Sequence, residues 1–351
     1  MPCFTPNNVR YYVDEFGKKR IQFRSPDNRI FYEEDRFPKL DLNGSSSYDC
    51  RQGKVLYPMQ IQCNQCIGCR LENSRQKAVR AVHEASLYED NSFVTLTFND
   101  KSLVRMCPNG SLQRRHMQLF MKKLRKKFER GVKVKRDDGS FYVYKANNIR
   151  FMMCGEYGDM KLTFRPHYHI LLFNVNFPDK TYWKTVNKHH YYRSRILEKL
   201  WKYGYSTIGE VTFESAAYVA RYCLKKVNGK AAEDHYTRVD PETGEVVKLL
   251  PEFYQASNKP GIGKPWFDKY GMTDVFPRDE VVMRGKICRP PRYYVKLLER
   301  IDPEMYKVVK AKRMAKMSDN KEDNVYSRLK VKLRLQEIKL GLLVRTLEAQ
   351  A

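Results

Sequence analysis

Two periodicities organise the chain. Phe93-Val94-Thr95-Leu96-Thr97-Phe98 is a run of strand-favouring residues closed by Asn99-Asp100, and it predicts a β-strand. Asn148 to Tyr157 and Phe164 to Phe173 predict two more strands, connected through Gly158-Asp159 as a hairpin. Helical spacing takes over elsewhere. Leu71, Ala78, Val82 and Ala85 mark one face of a helix from about Arg70 to Tyr88. Met117, Phe120, Met121, Leu124 and Phe128 form the stripe of another, which runs to about Arg130 with Ser111 as its N-cap. A helix around Arg193 to Trp201 and a short strand around Tyr205 to Val211 lead to a further helical segment, Tyr218 to Lys226.

The pattern divides the chain into four stretches. Residues 1–60 are polar, aromatic and turn-rich, an N-terminal extension with a loop at Asn43 to Ser47. Residues 61–228 hold the predicted core. Residues 229–292 are rich in Gly and Pro, as in Lys259-Pro260-Gly261-Ile262-Gly263-Lys264-Pro265, and read as an irregular wrapping segment without a core of its own. Residues 293–351 form a basic, mostly helical tail.

Charge narrows the partners. Lys and Arg number 66 against 40 Asp and Glu, a formal net charge of +26 over 351 residues. Such an excess suits a polyanion bound through counterion release. No apolar run approaches the roughly 18 residues that span a bilayer, and no signal segment opens the chain, so the expected place is the cytoplasm in which it is made. From Leu112 to Arg136 there are eleven basic residues and one acid, Glu129. Lys122, Lys123, Arg125, Lys126 and Lys127 are therefore the candidate DNA-binding residues.

Nine cysteines, an odd number, speak against a secreted disulfide framework. Cys63, Cys66 and Cys69 are spaced C-x-x-C-x-x-C. Free thiols are the favoured reading, and the alternative is a zinc held by these three with Cys50 or His83 as fourth ligand.

The candidate chemistry lies on two elements. A strand sends alternate side chains to one face, so His167 and His169 project together while Tyr168, Ile170 and Leu172 face the other way, under a helix. The hairpin brings Glu156 level with the two histidines. Two imidazoles and one carboxylate make an open site for a divalent cation, best Mg²⁺ or Mn²⁺, with Zn²⁺ and Fe²⁺ compatible. His189 and His190 fall on a tyrosine-rich surface loop, and His83, His116 and His235 have no evident partner. In the helical segment, Ala216, Ala220, Cys223, Leu224 and Val227 supply a buried stripe, and Tyr218, Tyr222 and Lys225 fall opposite. At an ordinary pKa near 10, only about 0.1% of a tyrosine is phenolate at pH 7. A nucleophilic tyrosine therefore needs nearby positive charge, which Lys225 or Lys226 can supply.

These residues resemble the replication initiators of the microviruses, most closely the gokushovirus branch, within the HUH endonucleases. Phe93 to Phe98 looks like the first family motif, Arg165-Pro166-His167-Tyr168-His169 the second, and Tyr218 to Lys226 the third. Cys63-x-x-Cys66-x-x-Cys69-Arg70 and Cys154-Gly155-Glu156-Tyr157-Gly158 also look like this branch. The resemblance covers about residues 60 to 290 and implies an α+β fold, a central antiparallel sheet flanked by helices. It further implies nicking of a single-stranded DNA origin, a 5′-phosphotyrosine joint and a 3′-OH primer for rolling-circle synthesis by host helicase and polymerase. Tyr218 and Tyr222 would be the nucleophiles, Lys225 their helper, and Glu156, His167 and His169 the metal ligands. Tyr168 departs from the usual aliphatic residue between the histidines.

Three other readings use part of the same evidence. A non-catalytic single-stranded-DNA-binding or packaging protein needs only charge and aromatics. An iron oxygenase would use the two histidines and the carboxylate but leaves the charge and the tyrosines idle. A transposase or relaxase would share the whole chemistry.

Overall fold

The computed structural model describes residues 3–22, 47–49, 54–136, 138–158, 165–221, 231–239, 244–318 and 322–342. The chain forms two compact units, Met1–Glu72 with Lys312–Leu343, and Asn73–Ala311 with Val344–Ala351.

The first unit contains a four-stranded antiparallel sheet in the order Lys19–Gln22, Asn7–Val13, Lys54–Ile61, Ser47–Asp49. The polar, aromatic N-terminal stretch is thus a sheet. Ser47 opens one of its strands, and Asn43 to Ser46 lie outside the described residues. The same unit contains the helix Tyr326–Gly341, where Asp323 pairs with Arg328 and Lys332 just ahead of it or in its first turns.

The second unit is a mixed α/β body around a seven-stranded antiparallel sheet, in keeping with the α+β expectation. Its order is Thr181–Val186, His189–Arg193, Ser206–Gly209, Asn91–Leu96, Pro166–Phe173, Arg150–Tyr157, Phe253–Ala256. Pro166–Phe173 sits centrally, and all eight of its residues are buried. Alternation then divides the packing. Tyr168, Ile170 and Leu172 point to one side and join Met117, Phe120, Met121, Leu124 and Phe128 of the helix Arg114–Arg130, with Trp201, in the largest core cluster. Leu171 and Phe173 point to the other side, against Ala78 and Ala81 of the helix Ile67–Ala85 and Ala216 and Val219 of the helix Phe213–Arg221. A fully buried Leu or Phe contributes about 1.5–3 kcal/mol, so a one-residue slip in register would exchange the two cores at a cost the fold could not meet.

Three sequence expectations are revised. The helix begins at Arg114 with Gln113 at the cap position and no capping side chain. Ser111 is buried instead and accepts from the Leu250 amide at 2.9 Å, tying a distant segment down. Residues 229–292 supply the edge strand Phe253–Ala256, which pairs with Arg150–Tyr157. They also supply Phe267, Val275, Phe276 and Val281 to a third core cluster with Val79, Tyr294 and Leu298. The isolated hydrophobic positions there were too sparse for periodicity to register them. His189 and His190 lie on a paired strand, and His190 Nδ1 meets Thr185 Oγ1 at 2.7 Å across that hairpin.

Candidate functional site

The register between the two strands of the predicted hairpin puts Glu156 directly opposite His167, with Cys154 opposite His169. On its other side the histidine strand pairs Thr95 with His169. Directly opposed residues share a face, so three neighbouring strands deliver Glu156, His167, His169 and Thr95 to one spot. Glu156 Oε1 lies 2.8 Å from His167 Nε2 and 2.8 Å from His169 Nε2. All three side chains are buried, Glu156 completely.

The opposite edges of both rings are held. His167 Nδ1 lies 3.0 Å from the Arg165 carbonyl oxygen, which can only accept, so Nδ1 carries a proton and Nε2 is the nitrogen directed at Glu156. His169 Nδ1 lies 2.9 Å from Thr95 Oγ1. Outer partners of this kind orient metal-binding imidazoles. Burial alone would push the Glu156 carboxyl up, but the adjoining imidazoles outweigh it and hold the carboxyl down at about 2. Three ligand atoms within 4.8 Å of one another, two imidazole nitrogens and a carboxylate oxygen, make a donor set that fits a divalent cation.

Tyr218 belongs to the same site. Its hydroxyl is 3.4 Å from His169 Nε2, and its ring meets the imidazole edge-on with centroids 4.9 Å apart. Only 6% of it is exposed. The expectation that Tyr218 turns away from a narrow apolar stripe is therefore corrected. Ser215, Ala216, Tyr218, Val219 and Ala220 are all buried, an arc of about 200° at 100° per residue, and Tyr218 stands at its edge. The helix is covered on a broader face than its aliphatic residues mark. Tyr222, Lys225 and Lys226 lie outside the described residues.

The basic residues occupy a different place. Lys122, Lys123, Arg125, Lys126 and Lys127 are exposed on Arg114–Arg130, whose apolar stripe packs on the sheet face opposite the imidazoles. Lys122, Arg125 and Lys126 line a groove of about 880 Å³ with Met121, Phe151 and Met153. The Arg125 guanidinium donates to the Ile149 carbonyl. The sheet stands between these cations and the Glu156–His167–His169 cluster.

Sequence reasoning missed several partners. Thr95 was legible only once its register against His169 was known. Tyr168 fills the far side of the sheet, where its hydroxyl meets His116 Nδ1 at 3.0 Å and donates to the Gln113 carbonyl at 3.1 Å. A phenol between the histidines is thus a core residue with its polar tip satisfied, and His116 gains a partner by the same contact. His83 stacks on Trp266 and meets Tyr294 Oη through Nδ1 at 3.0 Å.

The central strands of an antiparallel sheet thus carry a buried carboxylate–imidazole cluster, Glu156, His167 and His169, with Tyr218 adjoining. The family model described as replication-associated protein ORF2/G2P matches residues 91–227, which span all of these residues. Over 294 residues the chain is 34% identical to the replication-associated protein VP4 of Bdellovibrio phage phiMH2K, covering 81% of this chain and 84% of that protein. It is 32% identical over 264 residues to the replication-associated protein ORF2 of Spiroplasma virus 4, 72% of each. It is 31% identical over 183 residues to the replication-associated protein ORF4 of Chlamydia phage 1, 48% of this chain and 39% of that one. No solved structure matches the chain significantly. The chain belongs to the family of phage replication-associated proteins, as a replication initiator of the microvirus-like type. No helix among the described residues is long and apolar enough to cross a membrane.

Proposed function

We propose that this initiator is an HUH-type nickase that cuts and rejoins single-stranded origin DNA through Tyr218, with Tyr222 as a second nucleophile. The observation that supports it most directly is the Tyr218 hydroxyl at 3.4 Å from an imidazole of the Glu156–His167–His169 cluster. Glu156, His167 and His169 would hold Mg²⁺ or Mn²⁺, which when bound supplies positive charge to the scissile phosphate. His167 and His169 keep Nε2 directed inward because their Nδ1 atoms are held by Arg165 and Thr95. Tyr218 Oη forms the new bond to phosphorus, and its proton leaves to solvent or a base. The P–O3′ bond breaks, and the departing oxygen takes up a proton as the free 3′-OH. The 5′-phosphotyrosine retains the phosphodiester energy, so attack by a 3′-OH reverses the step and reseals the strand. Lys225 would favour the phenolate or steady the phosphate.

The 3′-OH would be extended by host polymerase with host helicase ahead of it, in the bacterial cytoplasm. Lys122, Lys123, Arg125, Lys126 and Lys127, behind the sheet, would grip DNA away from the scissile phosphate. The test is covalent capture of 5′- and 3′-labelled origin DNA with Mn²⁺ or Mg²⁺, followed by peptide mapping. A metal-dependent adduct on Tyr218 or Tyr222 with a released 3′-OH fragment is expected. Cleavage without an adduct would make the protein a hydrolytic nuclease. Binding without cleavage on authentic origin DNA would leave only the packaging reading.

A further inference from the structure

The three cysteines of the C-x-x-C-x-x-C run meet a fourth that no sequence spacing pointed to. In the first unit, Asn7 pairs with Ile61 at one end of the antiparallel ladder. Cys3 lies four residues before Asn7, and Cys63 lies two residues after Ile61, so pairing carries both past the same end of the sheet. Cys66 comes next, and Cys69 falls in the first turn of Ile67–Ala85. The result is a cluster of four sulfurs, all within 4.8 Å of one another. Cys3 Sγ is 3.4 Å from Cys63 Sγ and 3.8 Å from Cys66 Sγ. Cys50, expected as a possible fourth ligand, lies outside the described residues, and His83 is committed to Trp266 and Tyr294.

We infer that Cys3, Cys63, Cys66 and Cys69 form a tetrahedral tetrathiolate site for a structural Zn²⁺, separate from the histidine cluster. Distance decides the chemistry. Four sulfurs at about 2.3 Å from one ion stand roughly 3.8 Å from each other, the spacing found between Cys3 and Cys66. A four-iron cluster puts an iron and bridging sulfides between the thiolates and holds them roughly 6 Å apart. A disulfide would need sulfurs at about 2.05 Å. The ligands are also prepared for negative charge. Backbone amides of Gln65 and Cys66 donate to Cys63 Sγ at 3.4 and 3.2 Å, that of Cys63 to Cys3 Sγ at 3.3 Å, and that of Phe4 to Cys66 Sγ at 3.4 Å. Asn64 takes the left-handed φ of +58° that the tight C-x-x-C turn requires. Such amide contacts are the outer shell of a thiolate metal site. Binding releases the thiol protons as the four sulfurs ionise. The ion would staple the N-terminal strand to Lys54–Ile61 and to the start of the long helix.

The test uses full-length protein purified under reducing conditions, in a His167→Ala/His169→Ala background so that the imidazole cluster cannot contribute metal. Elemental analysis should find about one zinc per chain. Zinc-edge absorption should show four sulfurs at about 2.3 Å. Cys3→Ser should weaken zinc retention about 100-fold or more in competition with a chromogenic chelator. If that variant fails to fold, alkylation of the parent protein serves instead: the four thiols should be protected with zinc and modified once it is removed. Zinc bound through nitrogen or oxygen, iron with acid-labile sulfide, zinc retention unchanged by Cys3→Ser, or four thiols that alkylate equally fast with and without zinc would each overturn the site.

Discussion

Glu84 and Glu156 are both fully buried carboxylates in the second unit, yet they do different work. Glu84 pairs with the Arg150 guanidinium through Oε1 and accepts the Gly263 amide through Oε2 at 2.6 Å. Arg150 in turn donates to the Pro260 carbonyl at 2.9 Å. Its partners are a permanent cation and the backbone, so the arrangement is closed and pins the Gly–Pro segment to the sheet. Glu156 faces the Nε2 atoms of two imidazoles, partners that, unlike a guanidinium, can give up a proton and become ligands themselves. Burial of a carboxylate therefore marks a site only when its partners are themselves ligands.

The imidazoles repeat the contrast. His83, next to Glu84 in sequence, stacks on Trp266, and burial pushes it down to about 4. His167 and His169 stand against the ionised Glu156 instead. Tyr294 meets His83 at 3.0 Å as Tyr218 meets His169 at 3.4 Å, but Tyr294 is fully buried inside an apolar cluster, and burial pushes its phenol well above the usual range. It is a packing residue.

The strongest way to break the comparison is to neutralise each carboxylate. Glu156→Gln should reduce adduct formation more than 100-fold while near-ultraviolet circular dichroism stays native. Glu84→Gln should cost about 3–5 kcal/mol in urea unfolding by leaving Arg150 buried and unpaired, with adduct formation per folded molecule within about threefold of the parent. The reverse pattern would exchange the two roles. Next in size is the response to metal. Mn²⁺ at about 100 times its Kd should stabilise the parent and Glu84→Gln by about 2.7 kcal/mol, and His167→Ala/His169→Ala not at all.

A smaller effect concerns pH. His83 has a folded pKa of about 4 against about 6.5 unfolded, so the unfolded chain takes up the proton first. The stabilising contribution is whole above pH 6.5 and is lost as pH falls toward 4. At pH 5 the loss is about 2 kcal/mol relative to pH 7.5, and unfolding of His83→Phe should lack that component. Smallest is Thr95→Val, which removes the Nδ1 partner of His169. Metal affinity should fall about tenfold, read by Mn²⁺ titration, and an unchanged affinity would show that the ring is oriented by packing alone.

Much of the fold was legible because its signals are local. His-x-His in a strand places two rings on one face whatever the fold, and the stripe from Met117 to Phe128 requires a helix with one buried side. Tyr168 was correctly assigned to the far face by the same rule. The edge strand Phe253–Ala256 was not legible, since four residues among glycines and prolines give no periodicity. Nor was the true orientation of Tyr218, because the width of a buried arc depends on what covers the helix.

The charge, the alternation that aligns His167 with His169, the hairpin that brings Glu156 level with them and the helical character of the Tyr218 segment were all legible in the chain. Those follow from backbone geometry within a few residues. That Thr95 holds His169, that the basic helix lies behind the sheet and that Cys3 reaches Cys63 across 60 residues came only with the folded molecule. Strand register and long-range closure depend on the balance of packing over the whole molecule, and no short stretch of sequence encodes them.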